Sequence, residues 1–248
     1  MSKVKIETQD DIAVMRMMNG NTNAINPELI HDMKISLKEV KNEFRGMVLA
    51  GNKHFFAIGF DVPTLLKLDR SGMKDFFNDF NQLALDLFTL PIPTACAIAG
   101  HAIGGGNILA LTQDYRFMVQ EKKLIGLNEI QLGIPVPYLA DLILRHIIGH
   151  SAAKDMIYSG MLMPAKDAKK IGVIDEIILD EDVEKRAIEK ISKIAKFPPK
   201  GFAAVKQNHT DIVQTVYQAD FVQKNRQFVD YWFSPEVQEL LIQAAGKF

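Results

Sequence analysis

The sequence predicts an α/β protein whose carboxyl-terminal region is entirely helical. Short β-rich runs alternate with helix-patterned segments through the first half of the chain, which is the pattern expected when strands and helices pack in layers. After residue 198 only helical patterns remain. The chain has 248 residues, of which 48% are hydrophobic and 24% are charged, so it is long enough to bury a sizeable core.

Three runs near the amino terminus have the composition and length of strands: 3–9, 12–17 and 45–51. Between the second and the third lies a segment with helical periodicity, 26–43. Its first residue, Asn26, is a good N-cap, and a proline follows at the first helical position. The order of strand, helix and strand predicts a crossover unit with parallel strands.

The middle of the chain continues this alternation. A helix is predicted over 71–90, where the prolines of "PIP" end it, and an apolar run of strand length follows at 94–100. Three glycines come directly afterwards, then a short apolar helix over 106–114 and a strand over 115–120.

From Pro137 onward the pattern is mostly helical, with one last strand predicted at 173–179. The segment "FPPKGF" at 197–202 is the best candidate for a boundary. It divides the chain into an α/β core of residues 1–197 and a helical region of residues 198–248. The apolar side chains of the helical region require a partner, which is either the core or a neighbouring subunit.

Composition argues against several classes of function. The net charge is −1, with 29 basic and 30 acidic residues, so nothing favours a nucleic-acid partner. No apolar stretch reaches the roughly 18 residues that a membrane helix requires, and the amino terminus lacks the apolar core of a secretory signal. The single cysteine, Cys96, excludes an intramolecular disulfide. These features predict a cytoplasmic protein with no membrane partner; a processed mitochondrial form is the alternative.

The stretch "AGHAIGGGNILALTQDYRF" places Gly104, Gly105 and Gly106 at the start of a predicted helix, where glycine is unfavourable. A phosphate loop is excluded because no lysine follows the glycines. With Gly100 they form GxxxGxG, which resembles the dinucleotide fingerprint of short-chain dehydrogenases. However, that motif opens the chain in those enzymes, and no tyrosine here has a lysine four places on.

A third possible ligand is a developing oxyanion. When a thioester loses its α-proton, negative charge collects on the carbonyl oxygen, and each backbone N–H that binds this oxygen contributes on the order of 3 kcal/mol. Glycine lets the backbone approach such a ligand. The segment "KHFFAIGFDVPTLL" could supply a second donor, because Gly59 permits an unusual turn and Asp61 can bond to nearby backbone. A purely structural alternative remains: the glycines let a helix pack closely against a strand.

Five motifs allow a more specific prediction of function: "NTNAINPEL", "FFAIGFDV", "AGHAIGGGNILALTQDYRF", "IGLNEIQLGIP" and "MPAKDAKKIGVIDEII". In order and spacing they resemble the crotonase superfamily of enoyl-CoA hydratases and isomerases. The resemblance implies a crotonase-like spiral of ββα units, with residues 198–248 serving as active-site cover and in trimerisation. It further implies a homotrimer or a dimer of trimers that acts on an acyl-CoA thioester, without a metal or a resident cofactor.

The resemblance also implies the site residues. The oxyanion donors are the N–H groups of Phe60 and Gly105. The positions that contact substrate form a second set, which comprises Ala57, Ile58, Gly59, Asp61, Gly104 and Ile108.

Two positions indicate which reaction to expect. Hydratases of this family carry two glutamates that hold and activate water; here the first position is Ile108 and the second is Glu129. Isoleucine cannot orient water, whereas one carboxylate suffices for a 1,3-proton shift. The segment "IGLNEIQLGIPVP" resembles mitochondrial-type Δ3,Δ2-enoyl-CoA isomerases, in which the catalytic glutamate follows "LN". Asn128 would orient Glu129 or its loop, or it has a purely structural role. A dry pocket would raise the pKa of Glu129 towards the working pH.

Other functions remain open on the same scaffold. One is decarboxylation of an acyl-CoA or acyl carrier protein thioester; another is weak hydration. A non-catalytic protein that binds acyl-CoA, or an RNA-associated scaffold, is a further alternative. Lys206 and Lys224 in the carboxyl-terminal helices either contact coenzyme phosphates or form a charged, solvated face.

Overall fold

The computed structural model describes residues 2–120, 122–179 and 182–246. Within these ranges the strands are β1 Val4–Gln9, β2 Ile12–Met17, β3 Gly46–Ala50, β4 Phe55–Ala57, β5 Thr94–Ile98, β6 His101–Ile103, β7 Tyr115–Val119, β8 Leu124–Gly126, β9 Met163–Pro164 and β10 Glu176–Ile178. The α-helices are α1 Pro27–Glu43, α2 Val62–Leu65, α3 Arg70–Phe88, α4 Gly105–Leu111, α5 Tyr138–Ile148, α6 His150–Ser159, α7 Ala165–Ile171, α8 Val183–Ile194, α9 Pro199–Trp232 and α10 Pro235–Ala245. A short 3-10 helix spans Glu129–Leu132.

The strands form two sheets. The larger has the order β1-β2-β3-β5-β7-β10 and the smaller has the order β4-β6-β8-β9. In the larger sheet β1 and β2 are antiparallel, and every later neighbour is parallel. The crossover that the sequence predicted between β2 and β3 is therefore confirmed, with Val14 opposite Val48.

Successive strands alternate between the sheets. Strands β3, β5 and β7 enter the larger sheet, while β4, β6 and β8, which follow them in the chain, enter the smaller one. A helical element follows each pair, so the chain repeats a ββα unit. The carboxyl ends of β4, β6 and β8 thereby lead into three neighbouring loops at one edge of the smaller sheet.

The strands of the smaller sheet correct one sequence prediction. The run at 94–100 was expected to lead directly into the glycines. Instead it ends at Ile98, and β6 (His101–Ile103) intervenes before the glycines. Strands of three residues are too short to show an alternating pattern, so their sequence carries no clear strand signal.

The helical region packs on the body of the same chain. Helix α9 lies against α3 and α5, and α10 lies against α2 and the 3-10 helix. The side chains of Tyr217, Phe228 and Trp232 are buried in the main core. The division into residues 1–197 and 198–248 stays a prediction, and residues 247–248 lie outside the described ranges.

Candidate active site

Glu129 is a buried carboxylate at the start of the 3-10 helix that follows β8. Its exposed fraction is 7%, and within the described residues its Oε2 atom has no hydrogen-bond partner. Burial raises its pKa from 4.5 to about 7, and a bond to its own backbone amide offsets the rise in part. Desolvation favours the neutral form of an acid, so this group is poised to hold or release a proton near neutral pH.

The Glu129 carboxyl group lies against the glycine turn. A β-carbon built on Gly104 would be 3.5 Å from Glu129 Oε1 and 3.5 Å from Asn128 Oδ1. Asn128 is half-buried, and its side chain does not cap the 3-10 helix. The side chains of Asn128 and Glu129 therefore both lie beside the backbone of Gly104, between β6 and α4.

Gly104 makes a turn that other residues adopt only with strain. Its φ is +52° and its ψ is −122°, a conformation in which a Cβ is unfavourable. The turn is held on both sides: the Gly104 amide donates to the Gly126 carbonyl at 2.9 Å, and its carbonyl accepts from the Ile108 amide at 3.0 Å. This geometry directs the start of α4 towards the end of β8.

Gly106 is required for packing, which supports the alternative that some of these glycines let a helix pack closely against a strand. A β-carbon there would stand 2.0 Å from the Ala57 carbonyl oxygen, so only glycine lets α4 approach the end of β4 this closely. At Gly105 a β-carbon would lie 3.1 Å from Ile25 Cδ1 and 3.2 Å from Phe60 Cδ1. Close packing thus accounts for Gly106, whereas a side chain at position 104 would lie beside the Glu129 carboxyl group.

A second segment brings Phe60 to the same place. Ile25 forms an isolated parallel bridge with Phe60. The Ile25 amide donates to the Gly59 carbonyl at 2.7 Å, and the Asp61 amide donates to the Ile25 carbonyl at 2.9 Å. These two hydrogen bonds use the Gly59 carbonyl and the Asp61 amide, which lie on either side of Phe60. The Phe60 amide takes no part in this bridge.

Two backbone donors are therefore free beside each other. Within the described ranges, neither the Phe60 amide nor the Gly105 amide donates a hydrogen bond to another protein atom. The segments touch: a β-carbon on Gly59, whose φ is +105°, would be 3.3 Å from the Gly105 nitrogen. Free amides in a partly buried position can bind an anionic oxygen.

The remaining residues of the predicted contact set differ in their surroundings. Ala57 is buried, and the Ile58 amide donates to the Thr22 carbonyl at 3.0 Å. The Asp61 carboxylate caps α2: it accepts from the Thr64 amide at 3.1 Å and from the Thr64 hydroxyl at 2.8 Å. The Asp61 carboxylate is thus engaged in this cap, and the predicted contact between Asp61 and substrate stays a prediction.

Several apolar side chains lie on or beside the segments that carry the two donors. Ile108 is 1% exposed and belongs to the main core. The Phe60 ring makes edge contacts with the rings of Phe76 and Phe80, at centroid distances of 5.1 and 4.8 Å. Apolar neighbours lower the local dielectric constant and strengthen hydrogen bonds to a developing charge.

Lys206 is buried, so the expectation that it belongs to a charged, solvated face of the carboxyl-terminal helices is wrong. Its ammonium group is buried and lies 2.9 Å from Asp114 Oδ2 and 3.1 Å from the Ile92 carbonyl. Burial lowers the pKa of Lys206, while the nearby Asp114 carboxylate acts in the opposite direction. Lys224 lies over the ring of Tyr138, with 5.4 Å between Nζ and the ring centroid.

No group of three or more histidine, cysteine or acidic side chains in the described part of the chain could hold a metal ion. Within the same ranges, no helix has both the length and the apolarity needed to cross a bilayer.

The fold and the site define a class of protein. The family model described as enoyl-CoA hydratase/isomerase matches residues 7–244, so the chain belongs to this family. The crystal structure of human mitochondrial Δ3,Δ2-enoyl-CoA isomerase superposes with a TM-score of 0.95 at 26% sequence identity, covering 99% of this chain and 97% of that chain. The predicted crotonase fold is confirmed. Proteins of this family act on acyl-CoA thioesters.

Individual relatives differ in the activity that their names state. The human protein "Enoyl-CoA delta isomerase 1, mitochondrial" is 30% identical over 191 residues, which are 75% of this chain and 63% of that protein. The chain thus matches less than two thirds of that relative's length. "Probable enoyl-CoA hydratase EchA17" of Mycobacterium tuberculosis is 27% identical over 222 residues, covering 88% of this chain and 84% of that protein. Isomerisation or hydration of enoyl-CoA is therefore supported at the level of the family.

Proposed function

We propose that this protein is a Δ3,Δ2-enoyl-CoA isomerase that moves the double bond of a 3-enoyl-CoA to the 2-position. The observation that carries the proposal is the position of the Glu129 carboxyl group, which is buried beside Gly104. Next to it lie the amides of Phe60 and Gly105, which are free within the described residues. The names of the human relatives support the same activity.

The reaction uses one carboxylate twice. Glu129 takes a proton from C2 of the 3-enoyl thioester, and the electron pair of that C–H bond delocalises onto the thioester oxygen. The N–H groups of Phe60 and Gly105 bind this oxygen and stabilise the enolate, as donors fixed in a dry site do in other acyl chemistry. The same carboxyl group then returns the proton at C4, which leaves the double bond between C2 and C3.

The environment of Glu129 suits a group that both takes and gives a proton. A general acid–base catalyst is most effective when its pKa lies near the working pH. Burial raises the pKa of Glu129 to about 7. Asn128, which meets the same point on Gly104, would orient the carboxyl group.

Ile108 favours isomerisation over hydration. It occupies the position at which the family resemblance places the first glutamate of hydratases, and it is 1% exposed within the core. An aliphatic side chain offers no acceptor for a nucleophilic water. With Glu129 as the single carboxylate of the reaction, proton transfer is supported and addition of water is not.

The products of one incubation test the proposal. The protein is mixed with a 3-enoyl-CoA and the products are followed by proton NMR, with a saturated acyl-CoA as the control substrate. We expect the conjugated 2-enoyl-CoA as the main product. A 3-hydroxyacyl-CoA would indicate a hydratase, and binding without turnover would indicate an acyl-CoA-binding protein. Carbon dioxide released from a malonyl-type thioester in a parallel sample would indicate a decarboxylase.

We further propose that the protein assembles as a homotrimer or as a dimer of trimers in the cytoplasm. The expectation for assembly follows from the family resemblance. Light scattering of the purified protein distinguishes a monomer, a trimer and a hexamer, and fractionation of the source cells tests the location.

A further inference from the structure

One buried asparagine near the amino terminus has no role in the mechanism so far. Asn23 lies in the loop between β2 and α1, and its exposed fraction is 0%. Its φ is +49°, a left-handed value that few residues other than glycine adopt, although asparagine tolerates it best. A strained, fully buried polar residue persists only where the surrounding structure requires it.

The side chain of Asn23 joins two segments. Its Nδ2 atom donates to the carbonyls of Phe55 and Phe56, at 3.2 Å each, and its Oδ1 atom accepts from the Asn19 amide at 2.9 Å. Both carbonyls belong to β4, the strand that leads to the Phe60 donor. The left-handed backbone at Asn23 places this amide group between its own loop and β4.

Backbone hydrogen bonds extend the contact between the Asn23 loop and β4 along the chain as far as Phe60. The Ile58 amide donates to the Thr22 carbonyl at 3.0 Å, and Ile25 then bonds to the groups on both sides of Phe60. The Phe60 amide has no protein acceptor of its own in the described ranges, so only its neighbours fix its direction. Among the contacts between this loop and the segment 55–61, the Asn23 side chain supplies hydrogen bonds that are fully buried.

We propose that Asn23 is a positioning residue for the Phe60 donor of the oxyanion site. The inference rests on the proposed function, in which the Phe60 amide binds the thioester oxygen. Asn23 holds β4 against the loop and thereby fixes the direction of the Phe60 N–H. Loss of this tie moves the donor by a fraction of an ångström, and displacements of this order are costly in a preorganised site.

Two variants remove the tie in different ways. Asn23→Asp keeps the size of the side chain and a residue type that tolerates positive φ, but it turns carboxylate oxygens towards the two carbonyls. Asn23→Gly removes the side chain and relieves the backbone strain, so it keeps a folded variant available. The matched control is Asn225→Asp: Asn225 is also buried, and its Nδ2 atom donates to Asn78 Oδ1 at 2.9 Å between α9 and α3.

Three quantities are measured on each full-length variant: kcat and KM for a 3-enoyl-CoA, the melting temperature, and the infrared carbonyl stretch of bound butyryl-CoA labelled with carbon-13 at the thioester. We expect both Asn23 variants to lose roughly 10- to 100-fold in kcat, with KM changed less than about threefold, because a misplaced donor acts mainly on the charged transition state. The shift of the carbonyl stretch on binding should shrink in both. Asn225→Asp should lower the melting temperature and leave kcat and the carbonyl shift unchanged.

The outcomes separate the two proposals. If the wild-type protein isomerises the substrate and shifts the carbonyl stretch, while both Asn23 variants keep the wild-type kcat and shift, the role of Asn23 is overturned and the proposed function stands. A loss of thermal stability alone, as in the Asn225 control, overturns it equally. If bound butyryl-CoA shows no carbonyl shift in the wild-type protein, the oxyanion site itself is contradicted.

Discussion

The carboxyl group of Glu129 lies against the backbone of Gly104, so that a β-carbon on that glycine would stand 3.5 Å from Glu129 Oε1. This contact joins two loops that lie apart in the sequence, one at the end of β6 and the other at the end of β8. It puts the proposed proton-transfer group next to Gly105, whose amide is free within the described residues.

A side chain at residue 104 should therefore damage both the turn and the site. We expect Gly104→Ala to cost about 1–3 kcal/mol in the free energy of unfolding and to lower kcat at least about tenfold, because φ is +52° there and a turn that relaxes this strain would move the Gly105 amide that follows it. Gly149→Ala is the matched control, since its φ is +78° and a β-carbon would meet nothing within 4 Å. Denaturant unfolding and steady-state kinetics measure the two effects; equal kcat in both variants would contradict the role of this turn in placing the Gly105 amide.

Glu129 should make the protein less stable as the pH rises. Its pKa is raised to about 7 in the folded state from an ordinary 4.5, so the folded state binds the proton more tightly. The resulting stability is fully present below pH 4.5 and is lost as the pH rises to about 7, by an upper limit of about 3 kcal/mol.

Replacement of the ionisable group tests this dependence. We expect Glu129→Gln to gain stability relative to the wild-type protein between pH 5 and pH 8 in urea unfolding. The exposed glutamate of α1, Glu39, serves as the control through Glu39→Gln. A constant difference between Glu129→Gln and the wild-type protein across this pH range would show that the pKa of Glu129 is not raised.

A second carboxylate should introduce hydration. We expect Ile108→Glu to add water to a 2-enoyl-CoA faster than the wild-type protein does, because it supplies the acceptor that a nucleophilic water lacks. The neutral analogue Ile108→Gln controls for the polarity and size of the new side chain. Loss of the conjugated thioester absorbance measures the rate. Equal rates in the two variants would contradict the assignment of Ile108 as the determinant of reaction type.

Lys206 should act on stability and not on coenzyme binding. We expect Lys206→Met to cost about 1–3 kcal/mol in the free energy of unfolding, because Asp114 loses a buried partner at 2.9 Å but is itself a quarter exposed and keeps its hydrogen bonds from Thr94. The double variant Lys206→Met with Asp114→Asn should recover part of this loss. KM for the acyl-CoA should stay within about twofold of the wild-type value. A tenfold rise in KM with unchanged stability would instead assign Lys206 to coenzyme binding.

The elements that the sequence predicts well are those with strong local signals. Helix α1 begins after Asn26, whose side chain accepts from the Leu29 amide at 3.0 Å, and both the cap and the following proline are legible in the sequence. Strand β2 spans the predicted residues, Ile12–Met17. In both cases the local sequence signal is strong enough to predict the element, although β2 also needs its sheet partners β1 and β3 to form.

Features that depend on distant residues could not be predicted in the same way. The strands of the smaller sheet are too short to show a period. The partner of Lys206 lies 92 residues away, and no local pattern marks the lysine as buried. The proximity of Glu129 to the glycine turn was expected from the family resemblance and not from spacing, because a loop carboxylate by itself is usually solvated.

The most direct test of the account compares the rate of double-bond transfer in the wild-type protein and in Glu129→Gln. Stopped-flow absorbance follows formation of the conjugated thioester from a 3-enoyl-CoA, and calorimetry with a saturated acyl-CoA shows that binding is retained. The account predicts that the variant binds as the wild-type protein does but isomerises at least about 1,000-fold more slowly, in the range expected for loss of an acid–base group. A variant that keeps more than a tenth of the wild-type rate would contradict the claim that Glu129 carries the proton.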